Sequence, residues 1–430
     1  TQQNVYSHLA LNAVLEKYQY LEKKERAFIT RVTEGTLEHM IELDYILNQF
    51  SKVKVNKMKP VIRNILRSAV YQLKYMDSVP DSAVCNEAVK LAVKKGFGTL
   101  RGFVNGVLRN VARGLDQVEY PTEGIERLSV VYSMPEWILK LWKKTYDLDV
   151  IESMLQAFQE ETPVTIRCNL AKTTPENLKE SLQKEGVTVT PHPYLSYAFW
   201  IQDYDHLSEL ESFQKGEFYV QDISSMLVGE LADPKKGDRV IDVCAAPGGK
   251  ALHVAEKLRG TGSVEARDLS LYKVGLITEN IERSGLTNIH AVQKDATVCD
   301  ADVKDAADLV IADLPCSGLG VLAKKTDLKY KATEQSTKEL AGLQREILKN
   351  AASYVRPGGT LIYSTCTINP AENIENVHWF LKEFPEFVLD PIADRLCSTL
   401  QNSVEEAGCL QLLPGIHKSD GFFIARFGKK

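Results

Sequence analysis

The sequence predicts a multidomain chain: an all-α front domain, a small α+β domain, and a C-terminal α/β domain with a parallel, doubly wound sheet. Its 430 residues exceed what one hydrophobic core ordinarily fills. Apolar residues recur at three- and four-residue spacing up to about residue 110, which is typical of helices. From about residue 221, strand-like runs alternate with helical runs, which is the order of a parallel sheet. We place the domains at residues 1–135, 136–220 and 221–430.

The composition is that of a soluble globular protein. Hydrophobic residues make up 44% and charged residues 25% of the chain. No segment approaches the ~20 apolar residues of a membrane span, and the charged N-terminal stretch lacks a secretory core. The eight cysteines form no C-x-x-C pair, which argues against a zinc site and a disulfide framework. We therefore expect a cytoplasmic protein with no membrane segment and no metal.

The front domain is predicted to be a helical bundle that carries excess positive charge. Helical periodicity is clear in LALNAVLEKY, LEHMIELDYILNQF and PVIRNILRSAVYQLKYM. Residues 1–135 hold 19 Lys and Arg against 14 Asp and Glu, a net of +5, so the remainder of the −5 chain carries −10. This asymmetry fits nucleic-acid binding, although a solvated helical surface gives the same charge. The stretch YPTEGIERLSVVYSMPEW (120–137) is predicted to be a linker.

In the middle segment, stretches with helical spacing of apolar residues alternate with strand-like stretches. WILKLWKKTYDLDVIESMLQAFQ is predicted to be helical, VTIRCNL a strand, PENLKESLQKEG a helix, and VTVTPHPYLSYAFWIQ strand-like. This order favours a small α+β domain.

The C-terminal domain opens with a strand, a glycine-rich turn and a helix, in DRVIDVCAAPGGKALHVAEKLRG. A nucleotide phosphate loop is excluded, because Cys244 stands where that motif needs glycine and Ala251 stands where it needs Ser or Thr. The turn instead suits a ligand without phosphates whose atoms lie close over the backbone of Gly248 and Gly249.

Acidic residues recur at the ends of four successive predicted strands. They are Asp242, Asp268, Asp295 and Asp313. Asp268 lies near the distance after Asp242 at which doubly wound folds place a ribose-binding acid. Single acids in such loops are commonly helix caps, but four in succession favour a cationic, ribose-bearing ligand such as S-adenosylmethionine.

Two cysteines follow neighbouring predicted strands, in LVIADLPCSG and TLIYSTCT. Parallel strands end at one sheet edge, so we expect Cys316 and Cys366 to share one cleft. The residue pattern alone does not say which cysteine attacks. We assign a packing role to the others outside the glycine-rich turn, namely Cys85, Cys168, Cys299, Cys397 and Cys409.

Four motifs together resemble those of RNA cytosine-C5 methyltransferases that act on bacterial small-subunit (16S) ribosomal RNA: DVCAAPGGK, DLPCSG, YSTCT and DGFFIARF. The resemblance covers the whole chain. FVNGVLRNV and the helical front are similar to the NusB-like RNA-binding domain fused to these enzymes. The middle segment matches their small RRM-like domain. The C-terminal part matches their Rossmann-like class I methyltransferase domain, which uses S-adenosylmethionine.

The resemblance also implies roles for residues. Cys366 would be the nucleophile that adds to C6 of cytosine, and Cys316 the base that assists product release. Asp313 would act at the cofactor or at cytosine N3, and Lys250 at the RNA or the reacting base. The implied cofactor-binding positions are Cys244, Ala245, Ala246, Pro247, Gly248, Gly249, Lys250, Asp268, Asp295 and Asp313. Further family motifs contain Arg167, Asp222, Asp327 and Lys329.

Two alternatives to this reading remain. The same chemistry could act on tRNA, or the chain could be a non-catalytic RNA-binding assembly factor. The helical front could also be a protein–protein module. For a stand-alone RNA methyltransferase we expect a monomer whose partner is small-subunit rRNA.

Overall fold

A computed structural model describes residues 7–430, apart from the side chains of His8 and Glu405. It divides into two compact units. The helical unit comprises the chain up to Gln159 together with Leu322–Lys331, and the α/β unit comprises Glu160–Val321 and Ala332–Lys430. The predicted boundaries after residues 135 and 220 stay predictions.

Within the described residues the α-helices are α1 (Ser7–Lys17), α2 (Lys23–Glu38), α3 (Met40–Phe50), α4 (Pro60–Tyr75), α5 (Asp81–Lys94), α6 (Arg101–Gly114), α7 (Gly124–Val131), α8 (Glu136–Trp142), α9 (Leu148–Gln159), α10 (Pro175–Lys184), α11 (Glu211–Gln214), α12 (Ile223–Ala232), α13 (Gly249–Lys257), α14 (Leu271–Ser284), α15 (Leu328–Lys331), α16 (Glu334–Tyr354), α17 (Ile374–Glu383) and α18 (Ser398–Gln401).

The strands are β1 (Val164–Cys168), β2 (Thr188–Pro191), β3 (Ala198–Gln202), β4 (Phe218–Val220), β5 (Arg239–Asp242), β6 (Ser263–Asp268), β7 (Ile289–Gln293), β8 (Ala307–Asp313), β9 (Val355–Thr365), β10 (Phe387–Leu389), β11 (Val404–Glu406), β12 (Cys409–Leu412) and β13 (Phe422–Lys429).

The helical unit confirms the predicted all-α front. Its core is formed by apolar side chains at helical spacing, including Leu43, Ile46 and Leu47 of α3, which are fully buried. The predicted linker is wrong, because α7 lies inside it and buries Leu128 and Val130. The two prolines of that stretch lie outside α7 and so do not interrupt it. The single helix predicted from residue 137 is likewise two helices, α8 and α9.

The helical unit also contains a segment that lies much later in the sequence, Leu322–Lys331. The backbone amide of Ser7 at the start of α1 donates to Asp327 Oδ2 at 2.9 Å. Lys329 Nζ donates at 2.9 Å to the carbonyl of Glu38, the last residue of α2. The carboxylate thus lies at a helix N-terminus and the ammonium at a helix C-terminus, the ends whose partial charges complement them. Nothing in the sequence pattern predicted this docking.

The small α+β domain at the start of the α/β unit has an antiparallel sheet in the order β2-β3-β1-β4. Helix α10 packs its buried Leu178 and Leu182 against the sheet residues Ile166 and Ile201. The strand–helix–strand prediction for this region is confirmed.

The large sheet of the α/β unit is mixed. Strands β9-β8-β5-β6-β7 run parallel, as predicted. Beyond β9, the strands β13, β12, β11 and β10 are added antiparallel, so the prediction of an all-parallel sheet is wrong there. The connection from β12 to β13 is too short for a helical crossover, and short connections give antiparallel neighbours. Among the described residues, no helix has the length and apolar character needed to cross a membrane.

Candidate active site

Two cysteines lie side by side at the carboxyl edge of the large sheet. Strands β8 and β9 are parallel neighbours, with Asp313 opposite Ser364. Cys316 follows the end of β8 and Cys366 follows the end of β9 directly. Their Sγ atoms are 3.3 Å apart, within hydrogen-bond distance for sulfur, and both residues are half-buried. The predicted proximity of the two cysteines is confirmed.

The two thiols are not equivalent. The hydrogen bond to Cys366, followed by burial, raises the pKa of Cys316 well above its ordinary value. Both effects favour the protonated thiol form of Cys316. The ammonium of Lys250 interacts electrostatically with Cys366. A neighbouring cation is one of the features that mark reactive cysteines, and Cys366 has one in Lys250.

A buried carboxylate that sequence reasoning missed ties the two cysteine loops together. Glu372 is fully buried; its oxygens accept from the Ser317 amide at 2.8 Å and the Ser317 hydroxyl at 2.5 Å. That hydroxyl also lies 2.8 Å from Thr367 Oγ1. Gln344 Nε2 donates to Glu372 and to the carbonyl of Pro315. The residues after both cysteines are thus fixed to one acid, which lies in a polar stretch (INPAEN) that carries no burial signal.

The glycine-rich turn links β5 to α13. Gly248 has φ of +109°, a conformation that L side chains rarely adopt, and it directly precedes the helix. Lys250, the second residue of α13, extends its Nζ to Asp313 Oδ2 at 2.7 Å. Asp313 Oδ1 accepts at 2.7 Å from the hydroxyl of Ser364, another residue that sequence reasoning missed. The turn and the two cysteine strands therefore meet through one ion pair.

Burial and charge compete at this ion pair. Burial alone would lower the pKa of Lys250, but the facing carboxylate of Asp313 outweighs it and raises that pKa above its ordinary value. Lys250 consequently remains an ammonium beside Cys366. Cys244 differs from the two site cysteines: burial, followed by the nearby carboxylates of Asp242 and Asp268, raises the pKa of its thiol, which keeps it protonated.

Two of the predicted acids are buried beside the turn. Asp268 Oδ2 accepts from the Ala246 amide at 3.1 Å, and Oδ1 accepts from the Leu269 amide at 2.8 Å. Asp242 is fully buried, and its Oδ2 has no hydrogen-bond partner among the residues that the structure describes. Burial, followed by repulsion from Asp313, raises the pKa of Asp242 to about 7. A buried carboxylate oxygen without a partner suits a ligand that brings a positive charge or a donor.

Asp295 is placed differently from the other acids. It is exposed, and its Oδ1 accepts from the amide and the hydroxyl of Thr297 at 2.9 and 2.7 Å. These hydrogen bonds lower its pKa. The structure does not bring Asp295 into the buried acidic group.

Other residues predicted from motifs have structural partners. Asp222 is the N-cap of α12, where its Oδ1 accepts from the amide and hydroxyl of Ser224. Arg167 is fully buried in β1. Of the five cysteines assigned to packing, Cys85, Cys168 and Cys409 are buried and Cys397 is half-buried. Cys299 is exposed, so a packing role for it is wrong; it lies in the irregular stretch after β7, where the apolar pattern gave no guide.

Models of known families cover the three parts of the chain. Residues 230–428 match the 16S rRNA methyltransferase RsmB/F family. Residues 1–113 match the NusB family, and residues 134–204 match the ferredoxin-like domain of RsmF/B-like methyltransferases. The predicted three-part fold class, with a NusB-like front, is therefore confirmed.

Full-length relatives give the same result. The chain is 37% identical to the probable ribosomal RNA small subunit methyltransferase B of Bacillus subtilis over 432 residues, which covers 100% of this chain and 96% of that protein. It is 33% identical to a protein of the same name from Synechocystis, over 99% of this chain and 95% of that protein.

Solved structures agree with this fold. The crystal structure of PH0851 has a TM-score of 0.82 and 26% identity, covering 97% of this chain and 93% of that chain. NSun6 from Pyrococcus horikoshii, solved with SFG, has a TM-score of 0.61 and 25% identity, covering 69% and 98% of the two chains. Family model, full-length identity and fold agree, and the chain belongs to the RsmB/F family of 16S rRNA methyltransferases.

Proposed function

We propose that this protein transfers a methyl group from S-adenosylmethionine to C5 of one cytosine in 16S rRNA, through a covalent bond between Cys366 and C6 of that base. The observation that carries the proposal is the 3.3 Å contact between the Cys316 and Cys366 sulfur atoms at the edge of a methyltransferase sheet. Methylation at an exocyclic amino group or a ribose hydroxyl needs no nucleophilic cysteine, so that pair favours carbon methylation.

The chemistry explains why a thiolate is needed. C5 of cytosine is a weak nucleophile. When the Cys366 thiolate bonds to C6, the electron pair of the C5–C6 double bond moves into the ring and makes C5 an enamine carbon. C5 would then take the methyl group that S-adenosylmethionine supplies, while the bond from that methyl group to the sulfonium sulfur breaks and its electron pair stays on the sulfur. A base removes the C5 proton, the C5–C6 double bond re-forms, and the C6–sulfur bond breaks with the electron pair returning to Cys366.

The order of the two cysteine roles follows the family resemblance, and the raised pKa of Cys316 fits the role assigned to that residue. Cys316 is held as a thiol mainly by its hydrogen bond to Cys366. Once Cys366 is bonded to the base it is a neutral thioether, and this cause of the raised pKa disappears. Cys316 can then ionise more easily and accept the C5 proton, the step that releases the product.

We propose that Asp313 and Lys250 stabilise the negative charge that develops on the cytosine ring. Adding a thiolate to C6 builds negative charge on the ring, which protonation or a hydrogen bond at N3 relieves. The Asp313 carboxylate accepts hydrogen bonds from Lys250 and Ser364, and we propose that this ion pair acts at N3 of the base or at the cofactor. Lys250 also keeps Cys366 in a positive environment.

The turn and its acids are proposed to hold the methyl donor. S-adenosylmethionine supplies a methyl group on a positively charged sulfonium. The buried oxygen of Asp242 that lacks a described partner fits a cationic ligand, and Asp268 fits a ribose-bearing one. We propose that Cys244–Lys250, Asp268 and Asp313 contact it, with Asp295 at the exposed margin.

The experiment is methyl transfer from labelled S-adenosylmethionine to fragments of 16S rRNA, with the modified nucleotide identified by digestion and mass spectrometry. We expect a single 5-methylcytosine. A methyl group on another atom or another base would overturn the reaction proposed here. Methylation of tRNA but not of 16S rRNA would change the substrate. We further propose that the enzyme works in the cytoplasm as a monomer, with the helical unit adding RNA affinity.

A further inference from the structure

A fully buried arginine joins the small α+β domain to the helix that carries Lys250. Arg167 lies in β1 and is 0% exposed. Its Nε donates to Gln221 Oε1 at 2.7 Å, and its Nη1 donates to Glu256 Oε2 at 3.0 Å. Its guanidinium carbon lies 4.3 Å from the centre of the Tyr219 ring. A guanidinium removed from water persists only where such partners compensate it.

The first partner, Gln221, lies against the glycine-rich turn. A Cβ atom on Gly249 would lie 3.6 Å from the side-chain carbonyl carbon of Gln221, which is ordinary van der Waals contact. Gly249 is the first residue of α13, and Lys250 follows it. The Gln221 side chain therefore lies beside the first residue of the helix that carries Lys250, and Arg167 holds that side chain by the hydrogen bond to its oxygen.

The second partner, Glu256, lies near the other end of the same helix. Helix α13 runs from Gly249 to Lys257, so one guanidinium reaches side chains at both of its ends. Burial raises the pKa of Glu256, and the charge of Arg167 opposes that effect. The two residues thus depend on each other, because each would otherwise be a costly buried charge.

A neighbouring residue of the same strand end holds the next helix. Asn169 is fully buried, and its Nδ2 donates to the carbonyl of Ser284 at 3.2 Å. Ser284 is the last residue of α14, the helix that follows the acid Asp268. Arg167 and Asn169, at the end of β1, therefore contact α13 and α14, the two helices that follow the glycine-rich turn and Asp268.

From these contacts we propose that Arg167 is a positioning residue of the methyl-donor site, acting through Gln221 on the turn at Gly249. The small domain, which carries no proposed catalytic group, thereby sets the geometry of the cofactor turn. This inference rests on the proposed function, because it takes S-adenosylmethionine as the ligand of that turn.

The shape of the guanidinium matters as much as its charge. Arg167 directs two donors of one planar group toward Gln221 and Glu256, while its guanidinium carbon lies over the Tyr219 ring. An ammonium keeps the charge but cannot reproduce this fork and stacking together. The substitution Arg167→Lys therefore removes the positioning while leaving a counter-charge for Glu256.

The test measures binding of S-adenosylmethionine to the full-length protein by calorimetry, without RNA. We expect Arg167→Lys to weaken binding roughly tenfold, the scale of one lost charge-assisted hydrogen bond. Amide hydrogen exchange in residues 244–250 should also become faster. The control is Arg356→Lys, the same substitution in an ion pair with Asp308 at the amino ends of β8 and β9, which should change neither quantity.

A second pair of variants keeps the inference testable if Arg167→Lys fails to fold. Gln221→Met keeps the volume but loses the acceptor, and we expect it to weaken binding to a similar extent. Gln221→Glu keeps the acceptor toward Arg167 and should retain the wild-type dissociation constant. The inference is overturned if these variants lower thermal stability while binding and exchange in the turn stay unchanged. A wild-type protein that does not bind S-adenosylmethionine would instead overturn the proposed function.

Discussion

At the scale of single residues, the burial and charge of Asp242 indicate the kind of ligand that would bind beside it. Its carboxyl group is fully buried, and one oxygen has no hydrogen-bond partner within residues 7–430. Burial, with repulsion from Asp313, raises its pKa to about 7. Burial and repulsion disfavour the ionised form, and we infer that a cationic ligand bound beside Asp242 would favour it.

We predict that affinity for S-adenosylmethionine rises with pH because of this residue. The cationic ligand favours ionised Asp242, whose pKa in the free protein is about 7. Below that pH the ligand must displace a proton, so affinity should rise about tenfold between pH 6 and pH 8. Calorimetry on the wild type and on Asp242→Asn would measure this, since titration of the ligand itself is common to both. Equal pH dependence in the two proteins would contradict the role of Asp242.

At the scale of elements, the site depends on two loops that leave parallel strands. The strand pattern predicted that β8 and β9 end at one edge, and this brings the two sulfur atoms together. It could not predict Glu372, which holds Ser317 and the loop after Cys366, because a carboxylate buried by tertiary contacts looks like any surface acid in sequence.

We predict that Glu372→Gln lowers kcat about 100-fold while KM for both substrates changes little, because misplacement of reacting groups by ~1 Å costs that much. The amide nitrogen of glutamine cannot accept from the Ser317 amide or hydroxyl, so the loop carrying Cys316 would shift. Steady-state methyl transfer measures the effect.

The matched control is Glu339→Gln, the same substitution at an exposed residue of α16 that accepts only a surface hydrogen bond from Gln335 among the described contacts. It should leave kcat unchanged. If Glu372→Gln retains wild-type kcat, the carboxylate does not position the cysteine loops.

The sequence predicted helices and parallel strands well where local periodicity matched burial. It failed where tertiary contacts decide: α7 inside the supposed linker, the antiparallel strands after β9, and the exposed position of Asp295. Among site residues, the cysteines and acids were found because they follow strands. Gln221 and Ser364 were missed, since their role depends on neighbours far apart in the chain.

At the scale of the whole molecule, each of the two compact units is built from two separate stretches of the sequence. Ten residues that follow the Cys316 loop, Leu322–Lys331, belong to the helical unit. Lys329 is 4% exposed and donates to the Glu38 carbonyl. Burial lowers the pKa of Lys329 to about 8. Near neutral pH, the buried charge of Lys329 therefore lowers the free energy of unfolding of the helical unit.

We predict that the wild type gains stability relative to Lys329→Met as pH rises. The pKa of Lys329 is about 8 in the folded state against 10.5 for an unperturbed lysine, so above pH 8 the unfolded chain binds more protons and stability increases. Between pH 7.5 and 9.5 the relative gain should be about 2 kcal/mol, measured by urea unfolding of both proteins. A difference that does not change with pH would show that Lys329 titrates normally.

The most direct test of the account is to trap the covalent RNA complex with single cysteine variants. Protein, S-adenosylmethionine and 16S rRNA fragment are incubated, and complexes that survive denaturing electrophoresis are counted. We expect Cys316→Ala to accumulate the RNA adduct, because Cys366 still attacks but release is impaired, and Cys366→Ala to form none. Accumulation in Cys366→Ala with none in Cys316→Ala would contradict the assignment of Cys366 as the nucleophile.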